Sequence, residues 1–379
     1  MRYNIGKLYI VYMKVLGMNI KSLNRKLNKK FAGRVTARLS DGCIVLTGEL
    51  DDWNDVVDAG MTAATPHSST HVVNDIVFTA APEEKMHVPA LSDKALEGDR
   101  PDVLVIGGGI SGCSVARELA RYKLNVLLIE KEADLALGAS GRNDGEVHPG
   151  VDLSKGSLKH KYIRRANHMY EDLCRELDVP FKRTGQYACF THKSWLPFVS
   201  LYAKWRRDHD GIEDTCIVMG DEIRKKEPKI SADVAFALSN PSSGSVSPYN
   251  LVIAYAENAV QNGARVSLNT AVTGMDVSGG EIKAVYTNRG TIYPREVINC
   301  AGVYSDVVAQ MAQDRFFSIH PRRGTNSILD KKTGASFHGI ASIVMSQSPV
   351  QTHTKGGGIL HTMHDNLLIG PDAAETPER

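Results

Sequence analysis

Val103-Leu104-Val105-Ile106 runs directly into Gly107-Gly108-Gly109-Ile110-Ser111-Gly112. Four consecutive apolar residues suit a strand buried on both faces of a parallel sheet. Val115, Ala116, Leu119 and Ala120 then recur at helical spacing, and Asn125–Ile129 is a second apolar strand ending at Glu130-Lys131. The order of strand, glycine turn, helix, strand and acidic end gives the glycines a physical meaning. Gly107 permits the tight turn. Gly109 lets the backbone at Ile110 and Ser111 approach a pyrophosphate, and Gly112 lets the helix lie close against the strand. The helix N-terminus adds free N–H groups and the positive end of its dipole. Glu130 stands where a carboxylate accepts ribose hydroxyl protons and repels a 2′-phosphate. An adenine dinucleotide is the predicted ligand.

The choice between a flavin and a nicotinamide turns on residues 138–150, Gly-Ala-Ser-Gly-Arg-Asn-Asp-Gly-Glu-Val-His-Pro-Gly. This segment, with Ser140, Arg142 and Asn143, resembles the "S-G-R-N-S-G-V-x-H-x-G" stretch of the D-amino-acid-oxidase superfamily of flavoproteins. There it passes beside the pyrophosphate and the flavin ring. Asp144 departs from the usual Ser and adds negative charge. The resemblance continues through Val151–Lys159, Leu177–Gly185, Glu222-Ile223, Lys226-Glu227-Pro228 and Ser247-Pro248. These are landmarks of the glycerol-3-phosphate dehydrogenase and 2-hydroxyglutarate oxidase branch. Val272 matches the residue that touches the adenine through its backbone. Ala301-Gly302 resembles a second glycine turn near the FAD phosphates. The resemblance covers residues 101–379 and implies FAD as cofactor, with Lys131 beside Glu130 in its site. It also implies a further flavin-contacting turn beyond Arg379, so the chain is expected to be incomplete at its C-terminus.

Flavoproteins of this type take hydride at flavin N5 from a carbon bearing O or N. An anionic substrate needs a cation, and Arg322-Arg323-Gly324 resembles the family's "[KR]-G-x-Y" strand, with Thr325-Asn326 in place of the acidic-Tyr pair. Arg323 is the expected anion ligand, since a forked guanidinium suits carboxylate or phosphate. His148 is the expected partner of the substrate hydroxyl, or else a loop histidine holding backbone. His353, Lys355 and His361 flank Gly356-Gly357-Gly358 and border the substrate in the same reading. The expected function is FAD-dependent oxidation of a small anionic hydroxy compound, with an unassigned electron acceptor. The alternatives are an amino-acid or amine oxidase, or an inactive truncated flavoprotein that binds a partner through its N-terminal unit.

Residues 1–35 carry nine Lys/Arg and no Asp/Glu. Residues 1–20 read as a basic leader, suited to weak contact with an anionic membrane surface; Met18 is an alternative start. Residues 21–80 form a compact pattern of a helix at 21–31, strands at 34–39 and 43–47, a helix capped by Asp51 or Asp52, and a strand at 72–78. Val45, Gly48 and Val73-Asn74-Asp75-Ile76 resemble a BON-type domain. Residues 81–100 are polar and proline-bearing and read as a linker. The fold class predicted is α/β: a Rossmann-type FAD domain interleaved with a substrate domain, preceded by a small α+β module. Substrate-side insertions are expected at about 160–245 and 320–379.

Net charge is only +2 over 379 residues, which argues against nucleic acid as a partner. The six cysteines show neither C-x-x-C nor zinc spacing, so no metal site or disulfide framework is expected and a reducing, cytoplasmic setting fits. No apolar run approaches the ~20 residues of a membrane span.

Overall fold

The computed structural model describes residues 20–64, 71–81, 85–153, 155–212, 214–343 and 358–379. The basic leader, the Pro66–Ser69 helix breaker, His353 and Lys355 lie outside them.

A four-stranded parallel sheet carries the glycine turns. Its order is 265–267, Val126–Ile129, Val103–Ile106, Glu296–Asn299. All residues of the two central strands are buried, as continuous apolar runs require. On one face lie the helix Ile110–Leu119 and the helix Pro248–Gln261, sharing Cys113, Ala116, Val252, Ala256 and Ala259 in one core. On the other face a meander of Val272–Ser278, Glu281–Thr287 and Gly290–Ile292 packs Val272, Val285 and Ile292 against Leu104 and Leu127. The strand at 265–267 ends before Asn269, which adopts a left-handed conformation at φ 51°.

A seven-stranded mixed sheet forms the second layer. Its order is 327–328, Leu367–Gly370, Gly358–His361, Ile340–Ile343, Gln186–Phe190, Phe236–Asn240, Cys216–Met219. Both expected insertions contribute strands to it. Its outer face is covered by the helix Leu196–Asp210. A three-stranded ribbon of 146–147, 244–246 and 181–182 bridges this layer to the glycine-rich sheet.

The N-terminal unit has the order helix Ile20–Phe31, strand Val35–Ser40, strand Cys43–Leu50, helix Trp53–Ala63, strand His71–Phe78. Leu23, Leu27, Phe31, Ile44, Leu46, Val56 and Ala59 make its core. Asp52, not Asp51, caps the second helix by accepting from Asn54 N at 2.8 Å. Asp51 instead pairs with Arg34 at 2.7 Å.

The unit is docked. Asn74 Nδ2 donates to His320 Nε2 at 2.9 Å, Asn74 N donates to Ser318 Oγ at 2.9 Å, and Arg315 pairs with Asp75 at 2.7 Å. His71 meets Phe316 edge-on at 4.9 Å. The second half of the 81–100 stretch is anchored as well. Leu96 is buried in the meander's core, Asp93 pairs with Arg289 at 2.7 Å, and Asp99 pairs with Arg265 at 2.7 Å. Two charged residues that read as solvated linker are therefore ion-paired clamps.

Candidate cofactor and active site

The glycine turn closes so tightly that two of its residues admit no side chain. A Cβ on Gly112 would stand 1.8 Å from Gly107 O, and one on Gly107 would stand 2.4 Å from Cys300 O. Gly107 also holds φ +109°, which non-glycine residues rarely adopt. The helix it feeds begins at Ile110 with Gly109 as N-cap, and no side chain of the cap itself satisfies the first amides. Ser140 Oγ accepts from Ile110 N at 2.9 Å, so the 138–150 loop is fastened to the turn. Ile110 and Ser111 are exposed. The first-turn N–H groups have no carbonyl four residues back and face outward.

Glu130 sits at the end of its strand as expected, but its oxygens have protein partners. Oε2 accepts from Gly108 N at 2.6 Å and Oε1 from Glu132 N at 2.9 Å. The carboxylate thereby ties its own loop to the glycine turn. Thr270 N donates to Glu130 O at 2.7 Å, which brings the start of the Val272 strand alongside. Lys131 pairs with Glu132 and lies over the Tyr304 ring at 5.3 Å. The second turn is thus drawn beside the first. Gly302 there has φ +58°, with open space where a Cβ would project, and Ala301 N donates to Asn299 Oδ1 at 3.2 Å. Two glycine turns, a helix N-terminus exposed at Ile110 and Ser111 and a strand-end carboxylate form a cradle that fits a dinucleotide's phosphates and ribose.

The rest of the loop is held by its own polar groups. Asn143 Nδ2 donates to Ser140 O at 2.7 Å, and its Oδ1 accepts from Gly145 N at 2.9 Å. Arg142 is exposed. Asp144 Oδ1 accepts from Glu146 N at 3.2 Å. His148 Nδ1 accepts from Gly150 N at 3.0 Å, which leaves Nε2 as the protonated nitrogen of the neutral ring; it lies 3.4 Å from Asp152.

Several residues that the motifs do not single out support this loop. Asn167, buried, donates to His148 O at 3.1 Å and to Ser242 O at 3.0 Å, and Arg183 donates to Asn167 Oδ1 at 3.1 Å. Arg206 donates to Gly150 O at 2.6 Å and Leu153 O at 3.0 Å, and pairs with Asp210 at 2.6 Å. Both side chains of that pair are almost fully buried, at 2% and 0% exposure. Burial, with Arg206 nearby, lowers the His160 pKa. The i,i+4 spacing of Arg206 and Asp210 is the one signal the sequence offers, and it looks like an ordinary surface pair.

Arg323 stands apart from this network. It is exposed on a two-residue ribbon paired with Ala374–Glu375, and its neighbour Arg322 pairs with Glu375 at 3.5 Å. His361 is buried, its carbonyl accepting from Ser245 Oγ at 3.0 Å, and burial lowers its pKa. The cysteines behave as packing groups: burial pushes the Cys113 thiol up to about 12 and those of Cys174 and Cys189 to about 11. Thiols so shifted are not nucleophiles at neutral pH.

A sequence model of the FAD dependent oxidoreductase (DAO) family matches residues 102–379, and the chain belongs to that family. It is 37% identical over 275 residues to a glycerol 3-phosphate dehydrogenase of Caloramator mitchellensis, covering 72% of this chain and 56% of that protein. It is 34% identical over 227 residues to an L-2-hydroxyglutarate dehydrogenase of Indibacter alkaliphilus, covering 59% and 56%. Its structure resembles the dithionite-reduced L-alpha-glycerophosphate oxidase of Mycoplasma pneumoniae with FAD bound: TM-score 0.65, 25% identity, 73% of this chain and 72% of that one. The chain spans little more than half the length of the two curated relatives.

Proposed function

We propose that this chain binds FAD and oxidises a small anionic hydroxy compound of the glycerol 3-phosphate or 2-hydroxy-acid type. The observation that carries the reading is the closed Gly107–Gly112 turn, fastened by Ser140 and opposed by the open turn at Gly302. Gly107, Gly109, Ile110, Ser111 and Gly112 would hold the pyrophosphate with Ser140 and the Ala301-Gly302 backbone. Glu130, with Lys131 beside it, would face the ribose, and Val272 the adenine. Arg142 and Asn143 shape the loop toward the flavin. When bound, FAD supplies a two-electron acceptor.

His148 would orient the substrate hydroxyl through Nε2, which lies 3.4 Å from Asp152 Oδ1. Its Nδ1 is engaged by Gly150 N, which fixes that tautomer. Arg323 is the candidate cation for the substrate anion, its exposure leaving its donors available. The related dehydrogenases act on a phosphorylated polyol and a hydroxy acid by their names, and both substrates are anionic. The helix–strand–strand–helix–strand order of residues 21–80 supports a BON-like module serving partner attachment.

The purified chain should be yellow and release FAD on heating. Turnover should be measured with glycerol 3-phosphate, 2-hydroxyglutarate and glycine against an artificial acceptor. Colourless protein that cannot be reconstituted with FAD overturns the cofactor. Oxidation of glycine in preference to both hydroxy compounds overturns the substrate class.

A further inference from the structure

The helix Leu158–Glu176 buries three residues, His160, Asn167 and Cys174, at a spacing of two helical turns. An inward stripe is ordinarily apolar, because a buried polar group costs free energy unless it is hydrogen-bonded. Asn167, 4% exposed, stands in the middle of this stripe. Asparagine is also a weak helix former, so helix propensity does not account for it. Its partners do. Nδ2 donates to His148 O at 3.1 Å and to Ser242 O at 3.0 Å, and Oδ1 accepts from Arg183 Nη1 at 3.1 Å. Both amide N–H donors and the amide oxygen are engaged.

Arg183 decides which way that amide faces. A guanidinium donates and never accepts, so the amide oxygen must lie on the Arg183 side. The NH2 group is left to face the two carbonyls. A flipped amide would set donor against donor and one oxygen against two others. Arg183 is itself held at several points. Its Nη2 donates to Asn167 O at 2.8 Å, its Nη1 also donates to Ser242 O at 2.5 Å, and its guanidinium lies over the Phe181 ring at 4.9 Å. Ser242 is fixed from its other side, with N and Oγ both donating to the Asp214 carboxylate, Oγ at 3.2 Å. One donor of the Asn167 amide thus grips a fixed point, and the other grips the backbone of His148. The ring of His148 depends on that backbone, because Nδ1 accepts from Gly150 N two residues on.

We infer that Asn167 and Arg183 are positioning residues for His148. Arg183 orients the Asn167 amide, and the amide holds the His148 backbone so that Nδ1 keeps Gly150 N and Nε2 keeps the proton. The inference rests on the role given to His148 in the proposed function and adds the groups that fix its place. It also accounts for the residue type. Aspartate at 167 has the same shape but offers only acceptors to two carbonyl oxygens, and leucine leaves both carbonyls bare.

The test uses the full chain with ¹⁵N-labelled histidine rings, at pH 8, where a histidine with the ordinary pKa of ~6.5 is neutral. Long-range ¹H–¹⁵N spectra report which ring nitrogen carries the proton, and His148→Gln assigns the signals. The wild type should show one tautomer, with Nδ1 bare and Nε2 protonated. Asn167→Asp and Arg183→Met should each lose that single form, giving both tautomers or exchange-broadened signals. Asp93→Ala, which breaks the distant pair with Arg289, controls for general loss of stability and should leave the ring unchanged. Should Asn167→Asp not fold by far-ultraviolet circular dichroism, Arg183→Met carries the same test. In turnover of glycerol 3-phosphate or 2-hydroxyglutarate, Asn167→Asp should lower kcat by about 10²-fold and move KM by less than about threefold, as a misplaced group does. Wild-type ring signals in Asn167→Asp or, where it does not fold, in Arg183→Met overturn the inference, as does a wild-type ring protonated at Nδ1. Disturbance of the ring by Asp93→Ala, or an effect confined to KM, overturns it too. A wild type that turns over neither compound refutes the proposed function alone, since the ring spectra still decide the clamp.

Discussion

At the scale of single residues, the glycine turn and the loop supporting it make opposite demands. Gly112 has no room for even one carbon, with Gly107 O 1.8 Å from the position a Cβ would take. Gly112→Ala should therefore spread the turn, and we expect retained FAD to fall below about a tenth of the wild-type ratio, read by visible absorbance against protein. Gly109→Val has a different obstacle, since its Cβ meets only Ser140 Oγ at 2.9 Å, the end of a short side chain. Its fold should survive, with unchanged far-ultraviolet circular dichroism, while the bulk over the phosphate path removes FAD. Retained stoichiometric FAD in both variants would make the turn purely structural. Arg206 tests the loop. Arg206→Met leaves buried Asp210 facing the exposed Lys155 at 3.4 Å in place of the close guanidinium, and up to roughly 3–5 kcal/mol of stability should be lost in chemical denaturation. Arg206→Met with Asp210→Leu should recover most of it, because replacing both partners removes the stranded charge. These residues also mark what sequence reading reaches. Gly107, Gly109 and Gly112 are legible because their constraint is local to six residues. Arg206 and Asp210 are illegible because an i,i+4 pair looks the same on an exposed face as on a buried one, and burial is decided by chain far away.

At the scale of elements, strands with uninterrupted apolar runs and helices with clear breakers were easiest to place. Val103–Ile106 and Val126–Ile129 stand where expected because double-sided burial leaves no alternation to misread. Two-residue strands such as Arg322–Arg323 exist only through their pairing with Ala374–Glu375, a contact across about fifty residues that no local pattern announces. The 81–100 stretch shows a related effect, since Asp93 and Asp99 read as solvated charges until Arg289 and Arg265 arrive from the meander. The Arg289 guanidinium holds the Asp93 carboxyl down at about 2. The N-terminal unit offers a cleaner test of local chemistry. Asp52→Ala removes the acceptor for Asn54 N and should cost about 1 kcal/mol of that unit's stability. Amide exchange should quicken first in Trp53–Ala63, with the glycine-rich sheet unaffected.

At the scale of the whole molecule, the seam between the N-terminal unit and the rest is sensitive to acid. His320 accepts from Asn74 Nδ2, so it is neutral there, and burial lowers its pKa, with Asp306 opposing and Arg379 adding to the shift. Asp306 is driven up by its own burial, but hydrogen bonds from Arg379 and Ile319 N bring it below the usual carboxylate value. The unfolded chain protonates His320 near the ordinary ~6.5 and the folded chain only at lower pH. Stability is therefore undiminished above about pH 6.5 and declines as pH falls below it. Melting temperatures at pH 7.5, 6.5 and 5.5 should show that decline. His320→Gln, which keeps an acceptor near Nε2 but does not titrate, should flatten it; an identical slope would place the effect in His160 and His361, which burial also depresses.

The same seam bears on how the chain is made. Asn74 and His320 are 246 residues apart, while the core beneath Asn74 is built wholly from residues 23–76. At roughly 5–20 residues per second, a ribosome needs on the order of 12–50 s to travel from one to the other. The small unit thus has ample time to form first and wait with its docking edge uncovered. Asn74, Asp75 and His71 on that edge are polar, which suits a surface that must stay soluble and unattached until its counterpart emerges.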